Sequence, residues 1–299
     1  MKIGDLGHKN RQSGLRAAYF YALGYNKYIL YLLLREDRKM SFDMRNRAHE
    51  QYKLMNNYYR KEIKTCVEKT RVYREKVEGI DERVGQGKFN RVQRLEDCGT
   101  YDAIMSCTKD QGRVAALNFA SFKNPGGGFM NGSTAQEEML CHDSFLYNVL
   151  EKETDFYEEN RKDVNKGMYY NAALYSPDVA FVEADARGIK REKACDIITC
   201  AAPNWSAASK NHVSISECNK ALRERTEFIL DVAQANHVDT LILGAFGCGV
   251  FGQEPVEVAE IMLKLLTTEF KGVFNRVIFA VPDKSSKNYR WFSEVLNIR

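Results

Sequence analysis

Residues Asn118 to Glu138 read NFASFKNPGGGFMNGSTAQEE, and the chain is organised around this stretch. Three consecutive glycines, Gly126 to Gly128, are followed by seven further residues and then by Gln136-Glu137-Glu138. A backbone without Cβ atoms thus stands close in sequence to two adjacent carboxylates, directly before a helical pattern. This is the strongest functional feature of the sequence.

Strands that alternate with helices surround the glycines. Val114 to Phe119 (VAALNF) is a short apolar run bounded by polar residues, as a buried strand should be, and it leads directly into them. The other candidate strands are Arg91 to Leu95, Val179 to Glu183, Asp196 to Ala201, Leu241 to Ala245 and Val277 to Val281. The candidate helices are Glu217 to Ala235, Pro255 to Leu266 and Tyr289 to Leu296. The alternation predicts a three-layer α/β/α domain with a mixed, largely parallel sheet, whose ligands bind at the carboxyl ends of the strands.

The first third of the chain differs in charge and in pattern. Residues 1 to 95 hold 22 Lys and Arg against 11 Asp and Glu, whereas residues 96 to 299 hold 22 against 29. Phe42 to about Val77 carries apolar residues at spacings mostly of three and four, which predicts one or two amphipathic helices. We therefore expect an N-terminal appendage at 1–39, a helical accessory region at 40–90 and the α/β domain at 91–299. The basic segment is either a solvated helix face or a surface that attracts a polyanion such as nucleic acid or a pyrophosphate polymer.

Ala17 to Leu34 (AAYFYALGYNKYILYLLL) is the one segment for which a membrane interpretation has to be weighed. Gly24, Asn26 and Lys27 divide it into two short apolar halves, and no small-residue cleavage site follows it. Neither a spanning helix nor a signal peptide fits this pattern well. We expect no stable membrane association.

The eight cysteines include no Cys-x-x-Cys pair. This spacing argues against a disulfide framework and against a structural zinc site. Cys195 and Cys200 lie in an apolar run, which indicates buried thiols. We expect a cytoplasmic protein with reduced cysteines, no metal and no cofactor.

Two glycine-rich loops follow two of the predicted strands. The first is Asn124 to Gly128, and the second is Gly244 to Gly252 (GAFGCGVFG). Glycines at a strand end let backbone N–H groups approach phosphate oxygens, and a following helix N-terminus favours an anion. Either loop alone is equally consistent with a simple chain reversal. Two such loops on one edge of the sheet, without a Walker lysine, indicate a diphosphate held by backbone groups.

Gln136-Glu137-Glu138 is the third part of this pattern. Neighbours in a regular helix diverge by about 100°, but at a loop-to-helix junction both glutamates can reach a cleft. The alternative is that they are ordinary acidic residues of a first helical turn, which the helix dipole favours. Cleavage of a glycosidic bond needs a shielded carboxyl that protonates the leaving oxygen and later activates water. A second carboxylate can hold a sugar hydroxyl and orient the ring.

Four further features flank these residues. Phe251 either stacks on a ribose or base or belongs to the core, and Asn118 is expected at the rim of the cleft. Residues 201–204 (AAPN) either form a further wall or only pack, the second being favoured. His142 is expected to be packed or solvated rather than catalytic.

The motifs NFA, PGGG, a seven-residue spacer, QEE, CAAPN and GAFGCGVF together resemble those of the bacterial-type poly(ADP-ribose) glycohydrolases, a branch of the macrodomain fold. The resemblance covers about residues 42 to 299, and the spacing of GGG and QEE is its most specific element. It implies a macrodomain-like catalytic domain at 91–299. It also implies ADP-ribose or poly(ADP-ribose) as the ligand or substrate, and ADP-ribosylated macromolecules as partners.

Roles for individual residues follow from this resemblance. It implies that Glu138 is the catalytic acid/base and that Glu137 holds the hydroxyls around the scissile ribose–ribose bond. It further implies that Gly126 to Gly128 shape a catalytic loop, that Gly247 to Phe251 bind the diphosphate, and that Phe251 orders the terminal ribose. The implied substrate-binding residues are Asn118, Gly126, Gly127, Gly128, Gln136, Gly247, Cys248, Gly249, Val250 and Phe251. The large animal-type enzymes have an Asp in the place of Asn118, and neither an adenine-stacking residue nor a counterpart of their substrate-loop tyrosine is identified.

The sequence therefore predicts a metal-independent glycohydrolase that cleaves ribose–ribose O-glycosidic bonds and releases ADP-ribose. One alternative enzyme removes single ADP-ribose units from protein or nucleic acid with the same pocket. A non-catalytic ADP-ribose-binding macrodomain needs the glycine loops but not the two glutamates. A nucleic-acid module in residues 1 to 95 is the remaining alternative, and it predicts strongly salt-dependent binding.

Overall fold

A seven-stranded sheet organises the residues that the computed structural model describes, which are 44–77, 93–107, 111–185 and 188–297. Its strands are β1 (Arg71–Arg74), β2 (Gln93–Glu96), β3 (Val114–Phe119), β4 (Ala172–Asp185), β5 (Gly188–Cys200), β6 (Thr240–Leu243) and β7 (Arg276–Ala280). Their order across the sheet is β1-β4-β5-β3-β6-β7-β2. All pairs from β5 to β2 are parallel, whereas β1 with β4 and β4 with β5 are antiparallel. The predicted mixed, largely parallel sheet is confirmed.

Strand β3 covers the predicted run from Val114 to Phe119 in full. Strands β4 and β5, in contrast, are 14 and 13 residues long, so the sequence revealed only part of each. Their pairing shifts register between Ser176 and Val179, where Asp178 has a φ of 57°. This irregularity interrupts the alternation of apolar and polar residues that would have shown one long strand.

The helical interpretation of Phe42 to Val77 is correct for its first part and wrong for its end. Helices α1 (Met44–Tyr58) and α2 (Arg60–Lys69) are followed by strand β1, which pairs with the start of β4. Val72 and Tyr73 are residue types that favour strands, and the unpaired edge of β4 supplies the hydrogen-bonding partners. The predicted appendage at 1–39, which includes the apolar segment 17–34, and residues 78–90 lie outside the described residues. Within the described residues, no helix combines the length and the apolar composition that a membrane crossing requires.

Eight further helices complete the described part of the chain. They are α3 (Thr100–Ser106), α4 (Gln136–His142), α5 (Leu146–Leu150), α6 (Thr154–Lys162), α7 (Trp205–Ala208), α8 (Ile215–Ala235), α9 (Pro255–Thr267) and α10 (Lys287–Val295). The last three confirm the helices predicted from the sequence. Ser214 and Glu217 form a capping box at the start of α8, and Pro255 occupies the first turn of α9.

The sheet separates two hydrophobic cores, and β3 contributes to both. Ala116 faces the core formed with helices α1 to α6, whereas Ala115 and Leu117 face the core formed with α8 to α10. Successive residues of a strand point to opposite faces, so one buried strand can serve two layers of helices. The three-layer arrangement is confirmed.

Adjacent strands β3 and β6 send the chain to opposite faces of the sheet. The segment after β3 leads to α4, which packs in the first core, and the segment after β6 leads to α9 in the second. Connections that diverge in this way leave a crevice at the carboxyl ends of the two strands, where open α/β sheets bind their ligands. Both glycine-rich loops begin at this crevice.

Helix α1 abuts the segment that follows the three glycines. That segment forms a 3₁₀ turn at Phe129–Asn131 and ends at Gly132, whose φ is 85°. A Cβ atom on Gly132 would lie 2.6 Å from the backbone nitrogen of Arg45. The helical extension therefore meets the glycine loop by direct backbone contact.

Gly132→Ala is expected to lower the free energy of unfolding by about 1–3 kcal/mol, because alanine is strained at positive φ and its Cβ would push α1 away. The measurement is equilibrium unfolding in urea. Gly249→Ala is the matched control, since a Cβ atom there would meet no heavy atom within 4 Å. Equal unfolding midpoints for Gly132→Ala and the wild type would contradict the contact with α1.

Candidate active site

The two adjacent glutamates lie under the first glycine loop. A Cβ atom on Gly127 would be 2.6 Å from Oε1 of Glu138 and 2.9 Å from Oε2 of Glu137. The carboxylates therefore occupy the space that a side chain at Gly127 would need. The glycine is required by the acids beneath it and not only by the reversal of the chain.

Glu137 is fixed to the protein through both of its oxygens. Its Oε1 accepts a hydrogen bond from Nδ2 of Asn118 (3.3 Å), and its Oε2 accepts one from the backbone N–H of Ser121 (2.7 Å). The N–H of Gly126 also bonds to this carboxyl group. Burial raises the pKa of Glu137 to about 8, and the charge of Glu138 acts in the same direction, although the three donors oppose the shift.

Glu138 is held at one oxygen only. The N–H of Gly128 donates to its Oε1 at 2.8 Å. No described residue donates a hydrogen bond to Oε2, and 7% of the residue is exposed. The second oxygen is thus available to a ligand, which distinguishes Glu138 from its neighbour.

Asn118 and Gln136, two predicted site residues, also differ in whether one of their polar atoms is left without a hydrogen bond from the described residues. The Nδ2 group of buried Asn118 donates to Glu137 and to Oγ1 of Thr199 (3.2 Å), while its Oδ1 accepts no hydrogen bond from the described residues. Both amide hydrogens of Gln136 are used, by Oγ1 of Thr100 (3.0 Å) and by the carbonyl of Leu117 (2.8 Å). Its Oε1 accepts from the N–H of Phe119 at 2.8 Å, so Gln136 fastens the start of α4 to the end of β3.

Thr199 was not identified from the sequence. It stands opposite Asn118 in the parallel register of β3 and β5. Only the pairing of two strands that are far apart in sequence brings it to the site, so no local motif could have revealed it.

The second glycine loop, residues 244–252, has unused backbone donors. The N–H groups of Gly247, Gly249, Val250 and Phe251 donate to no described residue, whereas that of Cys248 bonds to the carbonyl of Ala245 (3.1 Å). Val250 is 84% exposed at the tip of the loop. These donors, just before the N-terminus of α9, form a site that suits an anion. Burial raises the pKa of the Cys248 thiol to about 12, so this cysteine is not an activated nucleophile.

Residues 201–204 support this loop from behind. A Cβ atom on Gly247 would lie 2.7 Å from Cβ of Ala202, and Asn204 caps helix α7 with its side chain. The segment therefore packs, as predicted, and in packing it also forms the wall behind the second loop.

Aromatic rings join the two loops. Phe122, which precedes the first loop's glycines, stacks on Tyr169 with ring centroids 4.3 Å apart, and Tyr169 meets the half-buried Phe251 edge-on at 5.9 Å. Phe119 and Phe246 make a second edge-on contact at 5.7 Å. Phe251 thus packs against a neighbouring ring on one side. Tyr169 precedes β4 in a turn without a motif, so no local pattern distinguishes it from the other tyrosines.

A cavity of about 540 Å³ lies beside the second loop. Its walls include Thr100, Phe119, Ala245, Val281 and Pro282 at the ends of several strands, and Gln136 also lines it. The lining is mostly small or apolar, which suits a flat aromatic group such as a purine. The lining residues come from segments that are far apart in sequence, so no single motif marks the cavity.

His142 packs inside the protein, as predicted. It is 0% exposed and lies edge-on to Phe129 at 4.7 Å. Among the residues with described positions, no group of three or more His, Cys, Asp or Glu side chains is placed to hold a metal ion.

Comparisons with known proteins agree on one family. Residues 42–184 match the family model described as microbial-type PARG, catalytic domain. The crystal structure of poly(ADP-ribose) glycohydrolase from Thermomonospora curvata is similar with a TM-score of 0.76 and 30% identity, over 84% of this chain and 98% of that one. The enzyme from Deinococcus radiodurans in complex with ADP-ribose has a TM-score of 0.70 and 33% identity, over 79% and 97%. The Thermomonospora curvata enzyme bound to the inhibitor ADP-HPD has a TM-score of 0.73. A search of curated proteins finds no match.

Glu137→Gln is expected to change how stability depends on pH. A glutamate in the unfolded chain ionises near pH 4.3, whereas buried Glu137 keeps its proton up to about pH 8. Between these values the folded state binds more protons than the unfolded state, so the wild type loses stability as the pH rises. Glutamine does not titrate, and the variant should therefore gain in stability relative to the wild type from pH 5 to pH 8.

Urea unfolding at several pH values measures this difference. Glu158→Gln, which removes an exposed glutamate from α6, is the control and should keep the wild-type profile. A constant difference between Glu137→Gln and the wild type from pH 5 to pH 8 would show that Glu137 is not held protonated.

Proposed function

This chain belongs to the microbial-type poly(ADP-ribose) glycohydrolases, and within that family we propose that Glu138 carries the proton of the glycosidic reaction. The protein is a glycosidase that hydrolyses poly(ADP-ribose) and binds ADP-ribose. Its sheet and flanking helices are those of a macrodomain-like fold.

The assignment to Glu138 rests on the unequal hydrogen bonding of the two glutamates. A general acid needs a carboxyl oxygen that can reach the leaving group, and Glu138 Oε2 is not engaged by the described residues. Glu137 is engaged at both oxygens, by Asn118 and by the N–H of Ser121. A residue that is fixed in this way is suited to holding a sugar hydroxyl rather than to moving a proton.

The proposed reaction breaks the bond between the anomeric carbon of one ribose and the 2′-oxygen of the next. Glu138 donates its proton to the departing 2′-oxygen, and positive charge develops on the ribose ring. The neighbouring diphosphate stabilises this oxocarbenium-like state. The Glu138 carboxylate then takes a proton from water, whose oxygen bonds to the anomeric carbon, and the acid form of Glu138 is restored.

Three parts of the crevice suit the other parts of ADP-ribose. The free N–H groups of Gly247, Gly249, Val250 and Phe251 suit the diphosphate oxygens. The unused Oδ1 of Asn118 suits a ribose hydroxyl, and Phe251 suits the face of that ribose. The cavity of about 540 Å³ suits the adenine. We further propose that ADP-ribosylated macromolecules are the partners from which the substrate chain extends.

Glu138→Gln is expected to reduce the release of ADP-ribose from labelled polymer by at least about 10²-fold, because the amide neither donates nor accepts the proton of the reaction. ADP-ribose should still bind when measured by calorimetry, since the diphosphate and adenine sites are unchanged. Glu158→Gln on the surface of α6 is the control and should keep its activity.

Two outcomes would count against this assignment. Undiminished release by Glu138→Gln would remove Glu138 from the chemistry. A wild-type protein that binds ADP-ribose but releases none, from polymer or from mono-ADP-ribosylated protein, would be a reader and not an enzyme.

A further inference from the structure

The segment that leads into β4, residues 165–171, has an unusual backbone. Asn165, Lys166 and Tyr169 have φ values of 45°, 55° and 58°, and Gly167 between them has a φ of 99°. Residues with side chains rarely adopt such angles, and three of them within five positions indicate a conformation that the surroundings impose. Lys166 lies inside the 3₁₀ turn at Asn165–Gly167 and is its non-helical residue.

Packing alone does not impose this conformation, because the segment borders a cavity of about 1070 Å³. Asn165, Tyr169, Tyr170 and Asn171 all line the cavity, whereas Phe122 and Phe251 do not. The segment is thus open on the side of this cavity, where Tyr170 is 46% exposed. Polar contacts from neighbouring elements have to hold it.

Arg225 of helix α8 supplies the largest set of these contacts. Its Nε donates to Oδ1 of Asn171 (2.7 Å), and its terminal nitrogens donate to the carbonyl oxygens of Met168 (3.4 Å) and Ala201. The side chain is 1% exposed and forms no ion pair with a described carboxylate. Burial of a guanidinium group has a high desolvation cost. Here its planar set of donors joins the turn before β4 to the end of β5.

Tyr169 connects this segment to the crevice. Its ring stacks on Phe122, which lies just before the first loop, and meets Phe251 of the second loop, so Tyr169 connects the two loops. From the described residues its hydroxyl accepts only one long hydrogen bond, donated by Nδ2 of Asn204 at 3.4 Å. The ring, and not the hydroxyl, is therefore the part of Tyr169 that fixes the spacing of the loops.

We infer that Tyr169 is a positioning residue of the active site and that buried Arg225 holds it in place. The inference rests on the proposed function, since it concerns the loops that would hold the diphosphate and the terminal ribose. The adenine cavity has neither Tyr169 nor Arg225 in its lining. Loss of the Tyr169 ring or of Arg225 should therefore weaken the binding of the ribose–diphosphate end of ADP-ribose and leave the binding of its adenine end intact.

The test compares Tyr169→Leu and Arg225→Met with Tyr169→Phe and Arg223→Met. Arg223 lies on the same helix and pairs with Glu227 and Glu269 near the surface, so its substitution is the matched control for the loss of an arginine from α8. Binding of ADP-ribose is measured by calorimetry, and binding of adenosine, which lacks the diphosphate, by NMR titration. Steady-state release from polymer gives kcat and KM.

We expect Tyr169→Leu and Arg225→Met to bind ADP-ribose at least about tenfold more weakly while binding adenosine within about twofold of the wild type. Their kcat should fall as well, since Phe251 no longer has its support. Tyr169→Phe keeps the ring and should restore the affinity for ADP-ribose, and Arg223→Met should match the wild type.

The inference is overturned if Tyr169→Leu binds ADP-ribose as the wild type does, or if it loses both ligands equally, which is the result of a merely structural role. If Arg225→Met does not fold, the pair Tyr169→Leu and Tyr169→Phe decides the question. A wild-type protein that binds no ADP-ribose would overturn the proposed function, and the inference with it. If the wild type binds ADP-ribose and Tyr169→Leu binds it equally well, the inference alone is overturned.

Discussion

The burial of two neighbouring carboxyl groups beneath a glycine loop is the constraint on which the rest of the site depends. Backbone N–H groups of Ser121, Gly126 and Gly128 turn inward to hold these carboxyls, and Gly127 leaves them the room that a Cβ would take. Buried charge is tolerated only where hydrogen bonds replace the lost water. Strand β3 fixes one end of the loop, and Gln136 fastens the start of α4 to that strand. The glutamates therefore sit in a rigid frame before any ligand arrives.

Because of this constraint, the backbone N–H groups of the two glycine loops have different partners. Both loops were expected from the sequence to approach a diphosphate, but the N–H groups of the first are turned towards the acids: Gly126 and Gly128 bond to Glu137 and Glu138. Those of Gly247, Gly249, Val250 and Phe251 donate to no described residue. Adjacent strands β3 and β6 bring the loops together because their connections leave on opposite faces of the sheet. The N–H groups of the first loop thus hold the two carboxyl groups, whereas those of the second are left to donate to an anion.

Local features of this molecule could be predicted from its sequence, and contacts between distant segments could not. Strand β3, the glycine loops and the helices α8 to α10 each have a pattern within one continuous stretch. The sequence pattern predicts helix for residues 71–74, which form strand β1 because their conformation depends on the free edge of β4. Thr199 reaches the site only through strand register, and Arg225 reaches the turn before β4 across 54 positions of sequence. The cavity of about 540 Å³ likewise takes its walls from segments that are far apart in sequence, near residues 100, 119, 136, 245 and 281.

The same burial also sets the charge of the crevice. The second loop, residues 244–252, contains no Lys or Arg, so no cation within it offsets the charge of a bound diphosphate. Burial raises the pKa of Glu137 to about 8, which removes one negative charge from the crevice at neutral pH. A neutral Glu137 lowers the electrostatic cost of placing an anion beside Glu138, and Glu137 is neutral because its carboxyl group is buried beneath the glycine loop.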